Sequence, residues 1–290
     1  MKTGCLLLLL PWFAAAAHAE DGRYPGILDS FERFKGESGD SVQGYRGDDR
    51  HSTWTVNGNA IVIKDDGTAY DGRNYLRILD LTGEQHHATK RLDADYLPEV
   101  RLYNGGVRPV TFSFAYRFQM TEQTAATPSL NMKAHFRETY PSVDPKTGEA
   151  TETVAGANTD AFNIFGAPAD VVPAVRARTN VWLRVDGDLR YCLINNGTRP
   201  RLLLHALTIT DTRRDPSTGE ETVLWTSQSE TGYWRDSGKV GYAQMTMADG
   251  MRFFLEYLNF FTGGAGYYVA DLDAIRIGEW HDPTTLMILR

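Results

Sequence analysis

The stretch Val110-Thr111-Phe112-Ser113-Phe114-Ala115-Tyr116-Arg117-Phe118 decides the fold class. Bulky apolar side chains occupy every second position, and Thr, Ser, Ala and Arg fill the places between. Period two over this length puts the aromatic residues on one face of a strand and the small or charged ones on the other. Working outward, strands are predicted over Ala60–Lys64, Tyr75–Asp80, Leu130–Phe136, Val181–Val185, Leu189–Ile194, Leu202–Thr210, Thr222–Thr226, Met251–Tyr257 and Tyr268–Ile277. Turn residues separate them, and no long segment shows a 3.6-residue period. This pattern predicts an all-β protein, a jelly-roll β-sandwich.

The connections are legible in part. Asp144-Pro145-Lys146-Thr147-Gly148-Glu149 and Asp215-Pro216-Ser217-Thr218-Gly219-Glu220 repeat one turn chemistry, with Pro presetting φ and Gly free to take a left-handed position. Their flanks differ, so a duplicated domain is not implied. The second turn predicts a hairpin between Leu202–Thr210 and Thr222–Thr226. Asp186-Gly187 reads as a two-residue hairpin turn as well. Residues 140–179, rich in Ala, Thr, Asp and Pro, read as a long excursion between strands, of the kind that carries function or covers a sheet.

Residues 1–19 read as a separate segment. Lys2, the apolar run from Leu6, and Ala17-His18-Ala19 have the charge, length and small-residue spacing of a secretory signal peptide, and the run is too short to span a bilayer. The expected organisation is a leader at 1–19 and one sandwich domain at 20–290, secreted or periplasmic, with an insertion at about 140–211. Losing Lys2 takes 30 basic residues to 29 against 37 acidic ones, a formal charge of −8. That balance argues against general nucleic-acid binding and against long polyanions, unless a basic patch forms locally. Cys5 leaves with the leader and Cys192 stays alone, so no intrachain disulfide can form. Cys192 reads as a small buried hydrophobe.

Two blocks resemble a known group. The first runs from Asp29-Ser30-Phe31-Glu32 through Ser52-Thr53-Trp54-Thr55-Val56 and Asp71-Gly72-Arg73-Asn74-Tyr75-Leu76-Arg77-Ile78 into Val110–Phe118. The second runs from Val223-Leu224-Trp225 through Tyr233-Trp234-Arg235 and Phe253-Phe254-Leu255-Glu256-Tyr257 to Tyr268–Ile277. Together they resemble MAM-type domains and the wider set of carbohydrate-binding jelly rolls that open on "FE" and close on "DDI". Ala274 stands where the second closing acid would be, and MAM disulfides are missing, so the wider set is the nearer likeness. The resemblance implies first and last strands side by side, a binding or adhesive role, and a structural calcium ion held by Glu32 and Asp273, with Asp71 as a further ligand. It also makes Trp54, Trp225 and Trp234 packing residues.

Catalytic signatures are mostly missing. There is no G-x-S-x-G elbow and no Glu-x-Asp-x-x-Glu strand motif. His86-His87 lacks metal-ligand spacing and reads as a solvated loop. The leading expectation is a non-catalytic binder of poly- or oligosaccharide or of an extracellular protein surface, with no membrane span. The ligand residues would be Trp182, Tyr191 and Arg184, because an Asp186-Gly187 hairpin would set Trp182 opposite Tyr191. The enzymatic rival is a polysaccharide lyase or glycoside hydrolase. A lyase would draw a base and uronate-neutralising groups from Tyr140, His135, Arg137, Arg176, Arg178 and His205. An adhesive or structural matrix role is the third class.

Overall fold

A computed structural model describes residues 27–80, 86–100, 110–120, 130–163, 178–194, 199–226, 252–262 and 268–279. The expected leader, Arg176 and Trp234 lie outside the described residues. The first half of the chain forms β1 (Ile27–Asp29), β2 (Ser52–Asn57), β3 (Ala60–Lys64), β4 (Asn74–Leu79), β5 (His87–Leu92), β6 (Glu99–Val100) and β7 (Val110–Met120). The second half forms β8 (Leu130–Val143), β9 (Ala150–Asn163), β10 (Leu183–Ile194), β11 (Arg199–Arg214), β12 (Glu221–Thr226), β13 (Arg252–Thr262) and β14 (Tyr268–Glu279). They build two antiparallel sheets. One runs β12-β11-β10-β7-β14-β4-β3 with β1 added on β14; the other runs β2-β5-β13-β8-β9 with β6 added on β13. The all-β sandwich expected from the alternation is the observed fold.

Phe112, Phe114, Tyr116 and Phe118 are at most 2% exposed and face the core together. Across the interior they meet Met132, Ala134 and Phe136 of β8 and Phe253, Leu255, Leu258 and Phe260 of β13. Phe114 packs edge-on against Phe260 at 5.3 Å between ring centres. Burying each such ring contributes on the order of 1.5–3 kcal/mol to the sandwich. Trp54 is fully buried in the same core, as the packing role requires.

β1 pairs with β14 in the register Ile27↔Ile277, Leu28↔Arg276, Asp29↔Ile275. The two ends of the resemblance are therefore neighbours. The two related turns are also alike in space: Gly148 N–H donates to the Asp144 carbonyl and Gly219 N–H to the Asp215 carbonyl, both at 2.8 Å. Their glycines have φ of 70° and 73°. The second turn joins β11 and β12, the expected hairpin.

Three expectations need correction. Residues 140–163 are not an irregular excursion: β8 and β9 form one long hairpin through the Asp144–Glu149 turn. Asp186-Gly187 is not a hairpin turn. It lies within β10, at a bulge between Asp186 and Asp188. Gly187 is there for space: a Cβ on it would meet Phe112 Cζ at 2.7 Å. Trp182 and Tyr191 therefore follow one another along one chain direction and do not face each other. Arg184 pairs instead with Ala115 of β7 and Thr210 of β11, and Tyr191 with Leu202. Finally, His86-His87 is no solvated loop. His86 is buried, and its Nδ1 accepts the Asn59 N–H at 3.0 Å; His87 opens β5.

Candidate functional site

The outer face of the larger sheet holds Trp182 and Arg184, two of the residues first expected to touch a ligand; the Tyr191 side chain lies outside the described residues. Arg117 (β7), Asp271 (β14) and Arg77 (β4) lie in one cross-strand row. The Asp271 carboxylate has no exposed surface and is gripped from both sides, by Arg117 at 2.7 Å and by Arg77 at 2.7 Å. Trp182, just before β10, roofs this row. Its ring centre is 4.5 Å from the Arg117 guanidinium carbon, its ring meets Tyr75 edge-on at 5.8 Å, and its Nε1–H donates to the Thr68 carbonyl at 2.7 Å. Arg184 is bound to Asp186 at 2.9 Å and to Glu221 at 2.6 Å. Trp182 thus shields a buried ion row, and Arg184 is spent on two carboxylates. The geometry ties both to structure rather than to a sugar platform.

The expected calcium ligands are also committed. Asp273 Oδ2 accepts the N–H groups of Tyr70 and Asp71, each at 2.9 Å, and its Oδ1 accepts Ala274 N–H at 2.7 Å. Glu32 Oε1 accepts Arg73 N–H at 2.6 Å and Asn74 N–H at 2.9 Å. The two carboxylates clamp the 70–74 loop from opposite ends. Gly72 (φ 70°) lets the loop close on Glu32, since a Cβ there would lie 2.5 Å from the carboxylate. Asp71 points instead toward Ser30 Oγ at 3.4 Å and Arg276 at 3.9 Å. Three of the four carboxylate oxygens of Glu32 and Asp273 accept N–H groups, and no group of three metal-ligating side chains gathers among the described residues. This donor set does not fit calcium. Burial pushes the Asp273 carboxyl up to about 7, against the three N–H bonds that favour its ionised form.

A buried positive charge does stand under the opening strand, and it belongs to the chain. Lys90 Nζ lies 2.8 Å from Asp29 Oδ2, 2.6 Å from Ser52 Oγ and 3.5 Å from Asp49 Oδ2. Trp54 Nε1–H donates to the same Asp29 oxygen at 2.6 Å.

The outer face of the smaller sheet is the candidate site. Period two carries His87, Thr89 and Arg91 of β5, Tyr257, Asn259 and Phe261 of β13, and Lys133, His135 and Arg137 of β8 to that surface. The register sets them in rows: Arg91–Tyr257–His135, Thr89–Asn259–Lys133, and His87–Phe261. Each ring is packed sideways. His135 lies flat against Tyr257 at 4.3 Å and 6°, and the Arg91 guanidinium sits over Tyr257 at 4.8 Å. His87 stacks on Phe261 at 5.1 Å, and Lys133 Nζ sits 4.8 Å from the same ring centre. Asn259 binds Thr89 Oγ1 at 2.8 Å and His87 Nδ1 at 3.1 Å. A bulge between Leu255 and Tyr257 brings Glu256 onto this surface, where it binds Arg91 at 3.2 Å, Arg137 at 3.0 Å and His135 at 3.3 Å. Burial, with Arg91 nearby, holds the His135 imidazole below its usual pKa despite Glu256.

Of the six residues considered for a lyase, the structure brings His135 and Arg137 onto this face. Arg178 binds Asp211 at 2.9 Å beside the larger sheet, and His205 belongs to β11 of that sheet. Tyr257, Asn259, Arg91, Lys133 and Glu256 were missed. For Arg91 and Lys133 the signal was the charged and polar alternation Lys133-x-His135-x-Arg137 and His87-x-Thr89-x-Arg91 between buried residues; Tyr257, Asn259 and Glu256 carry no such signal, because the bulge on β13 breaks the period.

No protein-family model matches the chain, and no curated protein does. Remote likenesses exist among solved structures. A family 22 carbohydrate-binding module of Clostridium thermocellum Xyn10B is 13% identical, with 90% of this chain and 96% of that chain covered and a TM-score of 0.30. The binding domain of botulinum neurotoxin DC is 10% identical over 86% of this chain and 50% of that chain, with a TM-score of 0.35. Lectin II from Ulex europaeus is 11% identical over 78% and 92%, with a TM-score of 0.27.

Proposed function

We propose that the chain binds an oligo- or polysaccharide on the outer face of its smaller sheet. The observation that supports this most is the interlocked row Arg91–Tyr257–His135. Both faces of the tyrosine ring are covered, so side chains that usually keep rotamer freedom are already ordered, and their polar edges remain for a ligand. Ordering before binding removes about 0.5–1.5 kcal/mol of cost per side chain. A polyhydroxylated ligand suits such a surface, because Arg, Lys, Asn, Thr and Tyr supply many fixed hydrogen-bonding groups and little bare apolar area. Phe261 is itself buried, at 6% exposed, so contact along β13 falls to Tyr257 and Asn259.

A glycan array followed by titration of each hit tests the reading. Asn259→Ala should lower affinity about tenfold, the loss of roughly 1.5 kcal/mol of hydrogen bonding. Trp182→Ala should leave affinity unchanged. Affinity that falls with Trp182 and not with Asn259 would move the site to the larger sheet.

Cleavage of the same saccharide is the second reading. The His135–Glu256 contact favours it, since a neutral imidazole oriented by a carboxylate beside a tyrosine is a usable base and acid pair. Incubation of array hits and chromatography of the products decides it: shortened or unsaturated products establish an enzyme, and intact ligand after prolonged incubation removes this reading.

A further inference from the structure

Resting on the saccharide reading of this same face, we infer that the saccharide is acidic and that its carboxylates are held by Lys133, Arg137 and Arg91. The charge distribution carries the inference. The chain is formally negative by seven. Yet on this surface Arg91 and Arg137 share the one carboxylate of Glu256, and Lys133 stands apart from it over Phe261. Lys133 has no carboxylate partner among the described residues; its ammonium rests over Phe261. Arg91 and Arg137 each give Glu256 one hydrogen bond, both to Oε1, and each guanidinium carries five N–H donors.

The hydrogen-bonding inventory points the same way. Arg and Lys only donate, so a surface dominated by them asks for acceptors. Neutral sugar hydroxyls can accept these donors too, but a bond to an ionised acceptor is roughly twice as strong. A carboxylate only accepts, and a guanidinium fork takes it in two parallel bonds. Glu256 acts as the anchor that keeps both guanidiniums in place before a ligand arrives. Spacing adds a further argument. Lys133 and Arg137 are four residues apart on β8, about 14 Å at roughly 3.4 Å per residue, so the cations repeat along the strand rather than converge on one point. Repeated anions along an extended chain fit that layout better than one isolated anion.

The test uses the full chain and three probes: an oligogalacturonate, the same oligosaccharide with its carboxylates reduced to alcohols, and a neutral xylo-oligosaccharide. Calorimetric titration at low salt should show the acid form binding at least tenfold tighter than its reduced form, and that margin should shrink as salt is raised toward 0.5 M, where exposed charges are screened. Lys133→Gln should cost the acid form about fivefold and the reduced form far less, with a melting temperature close to wild type because Lys133 pairs with no carboxylate among the described residues. Arg137→Gln should cost the acid form more. Equal affinity for acid and reduced forms would overturn the charge inference and leave saccharide binding standing. Failure of all three probes and of a wider glycan panel would overturn the saccharide reading itself. Equal binding of a DNA oligonucleotide would overturn the assignment to sugar acids in favour of bare charge attraction. Loss on Arg33→Gln or Arg50→Gln, with Lys133→Gln silent, would transfer the anion to the open groove of about 710 Å³ lined by Arg33, Phe34, Lys35, Tyr45, Arg46 and Arg50.

Discussion

The Lys90 ammonium and the Asp29 carboxylate meet at 2.8 Å with neither side chain exposed to water. Asp49 and Ser52 complete the polar shell, and the surrounding wall is Trp54 and the core. Removing one member of such a pair strands the other charge in a low-dielectric interior. Lys90→Met should therefore lose about 3–5 kcal/mol in chemical denaturation, and combining it with Asp29→Asn should recover part of that loss. Added calcium or chelator should leave the wild-type melting temperature unmoved, because the Glu32 and Asp273 carboxylates expected to hold the ion are engaged by backbone N–H groups. A melt raised by calcium would restore an ion to the structure.

Trp182 gives the second prediction. Its indole covers Arg117 where Asp271 binds two guanidiniums. Trp182→Ala should cost about 2 kcal/mol or more of stability, by losing packing and letting water onto the ion row. Saccharide affinity should stay within twofold of wild type. Unchanged stability with lost affinity would make Trp182 a ligand contact after all.

How far the sequence carried the reading differs between layers. Alternation in Val110–Phe118 placed four core rings correctly because its period is unbroken. The meeting of Asp29 with Ile275 was legible only through the resemblance, since nothing local brings together strands so far apart in the chain. Asp186-Gly187 misled for a physical reason. Asp-Gly favours a tight turn when the glycine must take a positive φ, but Gly187 serves to admit the Phe112 ring, and a tertiary contact left no local trace. The candidate face stayed hidden for a related reason. On β13 the bulge between Leu255 and Tyr257 breaks the period, so Glu256 and Tyr257 do not announce a shared surface. Arg91, Tyr257 and His135 are far apart in sequence, and only strand register puts them in one row.

Asp273 makes stability depend on pH. Its carboxyl is raised to about 7 from an ordinary 3.8, chiefly by burial. A group raised on folding holds its proton more tightly in the folded state, so its contribution is present in full below about pH 4 and is lost as pH rises through about 7. A rise of that size corresponds to about 4 kcal/mol as an upper bound. Other acids titrate too, so the useful quantity is the difference between wild type and Asp273→Asn, which lacks this titration. Denaturation between pH 4 and pH 7.5 should show wild type losing stability relative to Asp273→Asn as pH rises. A difference that stays flat, or that moves in favour of wild type, would show that the three N–H bonds outweigh burial and keep the carboxylate ionised.

The last prediction tests why β10 runs straight through Asp186-Gly187. Gly187 pairs with Phe112 across β7, and a Cβ on it would lie 2.7 Å from Phe112 Cζ and 3.3 Å from Leu207 Cδ1. Phe112 is 2% exposed and stacked 6.1 Å from Phe114, so its ring has nowhere to retreat. Gly187→Ala should therefore cost about 1–3 kcal/mol through overpacking. Backbone strain is not the cause, because Gly187 is not among the residues with positive φ. That distinction can be measured. Phe112→Leu removes the ring edge that the new methyl strikes, so the two substitutions should couple by about 0.5–3 kcal/mol, with the double variant more stable than the sum of the singles predicts. At a hairpin turn the cost of alanine would arise from its own φ, and Phe112 would be indifferent to it. Strict additivity in the double-mutant cycle would return Asp186-Gly187 to a turn and break β10 in two.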